Sequence, residues 1–285
     1  MKDIDIINAC SDLGVIVDGA NLGPKVLEKY ILNKKIYELN TGKVEKEREE
    51  NNKRKNLLEI NKFNRELYQN VRKIIQEGKI PLTIGGDHSI AIGSALGAIQ
   101  EYKKMGIIWF DSHGDFNTLD TTATGNIHGL PLAVITGFEK RELAPFHQGN
   151  FFSYDNTVIV GARDIDEWEM PNLKKAGVTI FTTEDIKIHG AEEITKKAIQ
   201  IAEKDVEGLH ISYDIDLIDP ELAPGVSVPA KNGINLDDAY KIVDTFLEYE
   251  EKIKSIDLVE FNPKRDINGK TEKIANQILQ KIMKE

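Results

Sequence analysis

The chain has 285 residues, 40% of them hydrophobic and 29% charged, and 37 basic against 47 acidic side chains leave a formal charge of −10. So acidic a chain is excluded as a non-specific binder of phosphate backbones, which needs Lys and Arg to neutralise phosphates. The single cysteine, Cys10, excludes an internal disulfide framework and fits a reducing compartment.

In chain order, short apolar runs alternate with longer amphipathic segments. Strands are predicted at 4–9, 36–39, 79–84, 105–110, 157–161, 178–181, 208–213 and 254–259. Helices are predicted at about 57–77, 91–102, 167–176, 192–204 and 237–249. The β-branched content and length of the runs suit buried parallel strands, and strand–helix repetition argues for a parallel sheet with helices on both faces. The segment 43–55 (KVEKEREENNKRK) mixes both signs densely and predicts a solvated helix laced with ion pairs. No Pro-, Gly- or Ser-rich linker and no internal repeat interrupts the pattern, so residues 1–285 are read as one domain. The start of the chain lacks the basic opening and long apolar core of a signal peptide, and no apolar run approaches the roughly 20 residues that span a bilayer. A soluble, cytoplasmic protein is expected.

In open α/β sheets, ligands bind beyond the carboxyl ends of the strands. The run at 79–84 is followed by Gly85-Gly86-Asp87-His88-Ser89. Taken alone, His88 reads as a helix-start histidine, with Ser89 as a cap. The run at 105–110 is followed by Asp111-Ser112-His113-Gly114-Asp115. In an extended stretch Asp111, His113 and Asp115 would point to one side. Two carboxylates ~4 Å apart repel by about 4 kcal/mol at an effective dielectric of 20, so such a cluster needs a cation. The run at 208–213 delivers a second pair, Asp214 and Asp216, while Asp219 before Pro220 reads as a turn residue. Two imidazoles and four carboxylates exceed one closed zinc site and suit two divalent ions, with oxygen-rich ligation pointing to Mn(II). His128, in a Gly-rich loop, is a candidate proton shuttle. Glu260, after the last strand, is a candidate anchor for a cationic substrate. His147, His189 and His210 fit no motif and are read as structural or exposed.

The motifs GGDHS, DSHGDFNT, TGNIHG, SYDIDLIDP and VEFNP occur in that order. With them, the sequence resembles the ureohydrolase superfamily over nearly its whole length, and within it most resembles arginase. The resemblance implies a single-domain, doubly wound three-layer α/β/α fold around an eight-stranded parallel sheet, in agreement with the eight runs above. It implies two Mn(II) ions per subunit. One would be held by His88, Asp111, Asp115 and Asp214, the other by His113, Asp111, Asp214 and Asp216, with Asp111 and Asp214 bridging. A metal-bridging hydroxide would attack the guanidinium carbon of L-arginine, giving L-ornithine and urea. His128, Glu260 and Asp115 are the implied catalytic residues, His128 moving protons and Glu260 receiving the guanidinium. Asn117, Thr124 and Asn126 are implied at the substrate carboxylate, and Asp166 and Glu169 near the α-amino group. A trimer or hexamer of like subunits is implied, with neither nucleic acid nor membrane as partner. The chain departs from the arginase pattern at Ser227-Val228, where glycine and threonine are usual, and at Asn232. That stretch is closer to formimidoylglutamase-type members. The alternatives are accordingly another ureohydrolase, acting on agmatine, a guanidino acid or N-formimidoyl-glutamate, or a metal-binding paralogue without turnover.

Overall fold

A computed structural model describes residues 3–49, 51–139 and 141–284. Its strands are β1 (Ile4–Cys10), β2 (Ile36–Asn40), β3 (Ile80–Gly85), β4 (Met105–Phe110), β5 (Thr157–Ala162), β6 (Thr179–Thr182), β7 (Gly208–Asp214) and β8 (Ile253–Val259). All pair in parallel in one sheet of order β2-β1-β3-β8-β7-β4-β5-β6. The helices are α1 (Gly23–Glu28), α2 (Leu57–Gln76), α3 (Ala91–Ile99), α4 (Pro131–Ile135), α5 (Glu169–Ala176), α6 (Thr183–His189), α7 (Ala191–Ala202), α8 (Leu236–Leu247) and α9 (Lys270–Met283).

Period-two alternation divides each central strand between two cores. In β4, Ile108 and Phe110 join a core built with α7, α8 and α9, whereas Ile107 and Trp109 face a second core built with α2, α3 and α4. Strands buried on both faces read as continuous apolar runs, which is why they are legible in the sequence. The order of the sheet decides which strand ends become neighbours. After β3 the chain crosses to β4, and the gap is filled later by β7 and β8. The carboxyl ends of β3, β8, β7 and β4 therefore lie side by side, although they come from four distant parts of the chain. This is a topological switch point.

The structure departs from the sequence reading at the segment 43–55 and at helices α1, α6 and α9. The segment 43–55 is irregular and turn-like, not helical (Glu50 lies outside the described residues). Its charges anchor it to the neighbouring chain in place of i,i+4 pairing: Lys46 pairs with Asp12 and Asp18, and Arg48 with Asp18. Helix α9 was not foreseen. Ile274, Ile278, Leu279 and Ile282 supply its buried stripe at helical spacing, but its N-cap, Gly269, is left-handed and offers no side-chain cap to mark the start. Helices α1 and α6 were likewise missed. Among the described residues, no helix is long and apolar enough to cross a membrane.

Candidate metal centre

The residues that follow β3, β4, β7 and β8 converge at the switch point. Beyond β3 the backbone turns at Gly86, packed so closely that an added Cβ would lie 1.6 Å from the Ser11 carbonyl. Asp87 then caps the next turn by accepting the Ser89 N–H at 2.8 Å, and accepts the Gly14 N–H at 2.8 Å. This sets His88, 1% exposed, with Nδ1 at 3.0 Å from Asp111 Oδ2 and 3.1 Å from both Asp115 Oδ2 and Asp214 Oδ2. His113 Nδ1 lies 3.4 Å from Asp111 Oδ1 and 3.1 Å from Asp216 Oδ2. Two groups thus have the spacing of a cation site, His88–Asp111–Asp214 and Asp111–His113–Asp216, with Asp111 in both.

The route to this convergence is not the extended alternation expected from the sequence. The chain leaves the sheet after Phe110, and Asp115 is turned inward by a left-handed backbone, φ +48°. Asp216 sits in a 3-10 turn, Ile215–Leu217, whose first N–H groups include that of Asp216, donated to Asp214 Oδ1 at 2.7 Å. Asp219 is the turn residue expected, accepting the Glu221 and Gly233 N–H groups.

The electrostatics call for cations. Burial would lower the His88 imidazole, but Asp111, Asp115 and Asp214 outweigh it and hold it well above its ordinary value. Burial also opposes protonation of His113, and Asp216 and Asp111 prevail in the same direction. Burial, then Asp216 and Asp111, push Asp214 well up, and burial with Asp111 takes Asp115 to about 6. Divalent ions held there would offset the same carboxylate charge. The donor set fits such ions: His88 Nε2 is 2.8 Å from Ser212 Oγ, which leaves Nδ1 as a buried ring nitrogen without a hydrogen-bond partner, facing carboxylate oxygens only.

Glu260 follows β8 with φ +66°, a conformation costly for a residue with a side chain. Its Oε1 accepts the His88 N–H at 2.8 Å and lies 3.1 Å from His128 Nδ1, while Oε2 is buried without a partner. Burial would raise Glu260 and lower His128. Each outweighs that for the other, so the carboxyl is held below its usual range and the imidazole above it.

Above this floor lies a cavity of about 190 Å3. Of the residues expected at the substrate head group, Asn117, Thr124, Asn126, Asp166 and Glu169 all line it, with His113, Asp115 and His128. Asn117 Nδ2 donates to Asp166 Oδ2 at 2.8 Å and Asn117 Oδ1 accepts from Thr121 Oγ1 at 3.0 Å. Glu169 is buried, accepts the Phe116 N–H and, at 3.3 Å, that of Asp166, and is pushed to about 8 by burial. The sequence reading missed Thr122 and Asp164, which also line the cavity. It missed the support of the carboxylates as well. Ser112 Oγ donates to Asp216 Oδ1 at 2.6 Å, and Trp109 Nε1 donates to Asp111 Oδ2 at 2.9 Å while stacking on His88. Strand alternation places Trp109 on the side of Asp111, so that contact was open to inference. The other histidines stand apart: His147 Nε2 meets the Asn150 carbonyl, His189 is exposed, and His210 pairs with Asp257 inside the sheet's packing.

The family model of the arginase family matches residues 2–284 of the chain. An arginase of Bacillus subtilis (strain 168) is 34% identical, over 99% of this chain and 98% of its own length. The structure of an arginase from Bacillus caldovelox superimposes with a TM-score of 0.92 at 32% identity, covering 100% of this chain and 99% of its own. A formimidoylglutamase structure from Bacillus subtilis shares the fold, with a TM-score of 0.81 at 19% identity, covering 100% of this chain and 87% of its own.

Proposed function

The chain belongs to the arginase family, and we propose that it hydrolyses L-arginine to L-ornithine and urea. The observation that carries this reading is the pair of carboxylate–histidine groups sharing Asp111, set beside an ion-paired Glu260 and His128. His88, Asp111, Asp115 and Asp214 would hold one ion, and Asp111, His113, Asp214 and Asp216 the other, both Mn(II). Bound there, the two ions would supply a water acidified into a nucleophile at neutral pH.

The chain's own residues do the rest. Glu260 receives the guanidinium, for which its unpartnered Oε2 is free. His128, paired with the other oxygen Oε1, carries a proton to the leaving amine. Asn117, Thr124 and Asn126 hold the substrate carboxylate, and Asp166 and Glu169 its ammonium end. A site built of such polar groups discriminates against analogues that lack them. We read the chain as one catalytic domain that acts as a homo-oligomer in the cytoplasm.

A second reading, hydrolysis of N-formimidoyl-glutamate, draws on Val228, which lines the cavity, and Ser227, whose Oγ accepts from Asn262 Nδ2 at 3.1 Å. The test is product release from Mn(II)-loaded protein: urea from L-arginine and from agmatine, and formamide from N-formimidoyl-glutamate. Urea from arginine in preference to agmatine is the expected result. Formamide alone would transfer the assignment to the second reading, and no product from any of the three would leave only a metal-binding paralogue.

A further inference from the structure

Among the described residues, the side chains lining the cavity are carboxylates, amides, hydroxyls, imidazoles and that of Val228, with no lysine or arginine. An amino-acid substrate brings a carboxylate to this lining, where a positive field beyond that of the two ions at the floor would favour it. One cation lies directly behind the wall. Lys55, only 5% exposed, donates from Nζ to the carbonyl oxygen of Thr124 at 2.5 Å. Among the described residues, its one hydrogen-bond partner is that carbonyl, and no carboxylate pairs with it. A charge this buried is weakly screened and acts over several ångströms.

Lys55 belongs to a short strap that holds the cavity loop at further points. Lys53 Nζ donates to the Asp120 carbonyl at 2.7 Å. Gly125, at φ +70°, is pressed so close that an added Cβ would lie 2.2 Å from the Asn52 carbonyl. Asn56 Nδ2 in turn donates to the Leu13 carbonyl at 2.8 Å, tying the strap to the turn whose Gly14 carbonyl accepts the His128 N–H.

We infer that Lys55 is a specificity-determining positioning residue. Through the Thr124 peptide it fixes the loop and supplies the positive field that selects substrates carrying a carboxylate. This rests on the hydrolase reading above for its choice of substrates. Its test compares ligands with and without the carboxylate on Mn(II)-loaded protein: L-arginine against agmatine in turnover, and L-ornithine against putrescine in calorimetric binding.

In Lys55→Met, KM for L-arginine should rise ~10-fold, the size of one charge-assisted contact, with kcat within about twofold. Ornithine affinity should fall in parallel, agmatine and putrescine should be unaffected, and Lys55→Arg should restore native values. Equal losses for ligands with and without the carboxylate would reduce Lys55 to a structural role and overturn the proposal, as would an unchanged KM for L-arginine. The binding arm separates the two readings. A native protein that binds ornithine but releases no urea from arginine fails the hydrolase reading alone. Ornithine binding that Lys55→Met leaves intact fails the Lys55 proposal alone. No ornithine binding by the native protein counts against both.

Discussion

His128 Nδ1 lies 3.1 Å from Glu260 Oε1, the same oxygen that accepts the backbone N–H of His88 at 2.8 Å. One carboxylate thus links the proton-carrying imidazole to the turn that presents a metal ligand. Glu260→Gln keeps the shape and removes the charge. A charged hydrogen bond contributes ~1.5–3 kcal/mol, so kcat/KM should fall about ten- to a hundredfold with metal content retained. The His128 imidazole should also lose what holds it above its ordinary value and titrate at lower pH, as NMR of the ring protons would record. An unshifted His128 titration would show that the Glu260 charge does not act on the imidazole.

Asp111 stands in both candidate cation groups, whereas Asp216 stands in one. Asp111→Ala should therefore strip metal from both positions, and Asp216→Ala should lower occupancy mainly at one. Metal analysis after dialysis reads this directly. Since a ligand at a hundred times its dissociation constant stabilises by about 2.7 kcal/mol, chelation should lower the native melting temperature and leave Asp111→Ala nearly unmoved. Two bound ions in Asp111→Ala would contradict the shared role.

The thiol of Cys10 is buried in β1, and burial, with Glu38 next, pushes it up to about 12. Only the thiolate reacts. Disulfide-exchange reagents at pH 8 should therefore label the native protein far more slowly than the unfolded chain, which should yield one thiol. Rapid labelling of native protein would show that β1 opens readily although it is paired on both sides, with β2 and β3.

How much was legible depends on what each residue relies on. Buried parallel strands announce themselves, so β4, β7 and β8 were placed to within a residue or two, and the strand-end rule then led to Asp111, Asp214 and Glu260. Asp115 was reached by an argument from extended spacing that the backbone does not follow, since a left-handed residue turns it inward. Lys55 carried no local signal. It sits in a run of mixed charge whose other members are mostly exposed, and only the tertiary contact with Thr124 distinguishes it. Helix α9 had the stripe but not the cap.

Glu169 gives a pH dependence whose sign follows from its burial. Its carboxyl is raised from 4.5 to about 8, by burial first and then by Asp115 and Asp166 against the Phe116 N–H. The folded state then holds a proton that the unfolded chain releases near 4.5, so between these values the native protein binds more protons. Stability contributed by this group is present below about pH 4.5 and is lost as pH rises towards 8. With one pKa unit equal to about 1.4 kcal/mol, the loss is on the order of a few kcal/mol. Glu169→Gln keeps a carbonyl to accept the Phe116 N–H and cannot ionise. Urea unfolding of metal-free protein should show the native stability falling between pH 5 and 8 and a flatter profile in the variant, which becomes the more stable of the two above pH 8. Parallel profiles would mean that Glu169 ionises freely, its carboxylate satisfied by the backbone N–H groups it accepts.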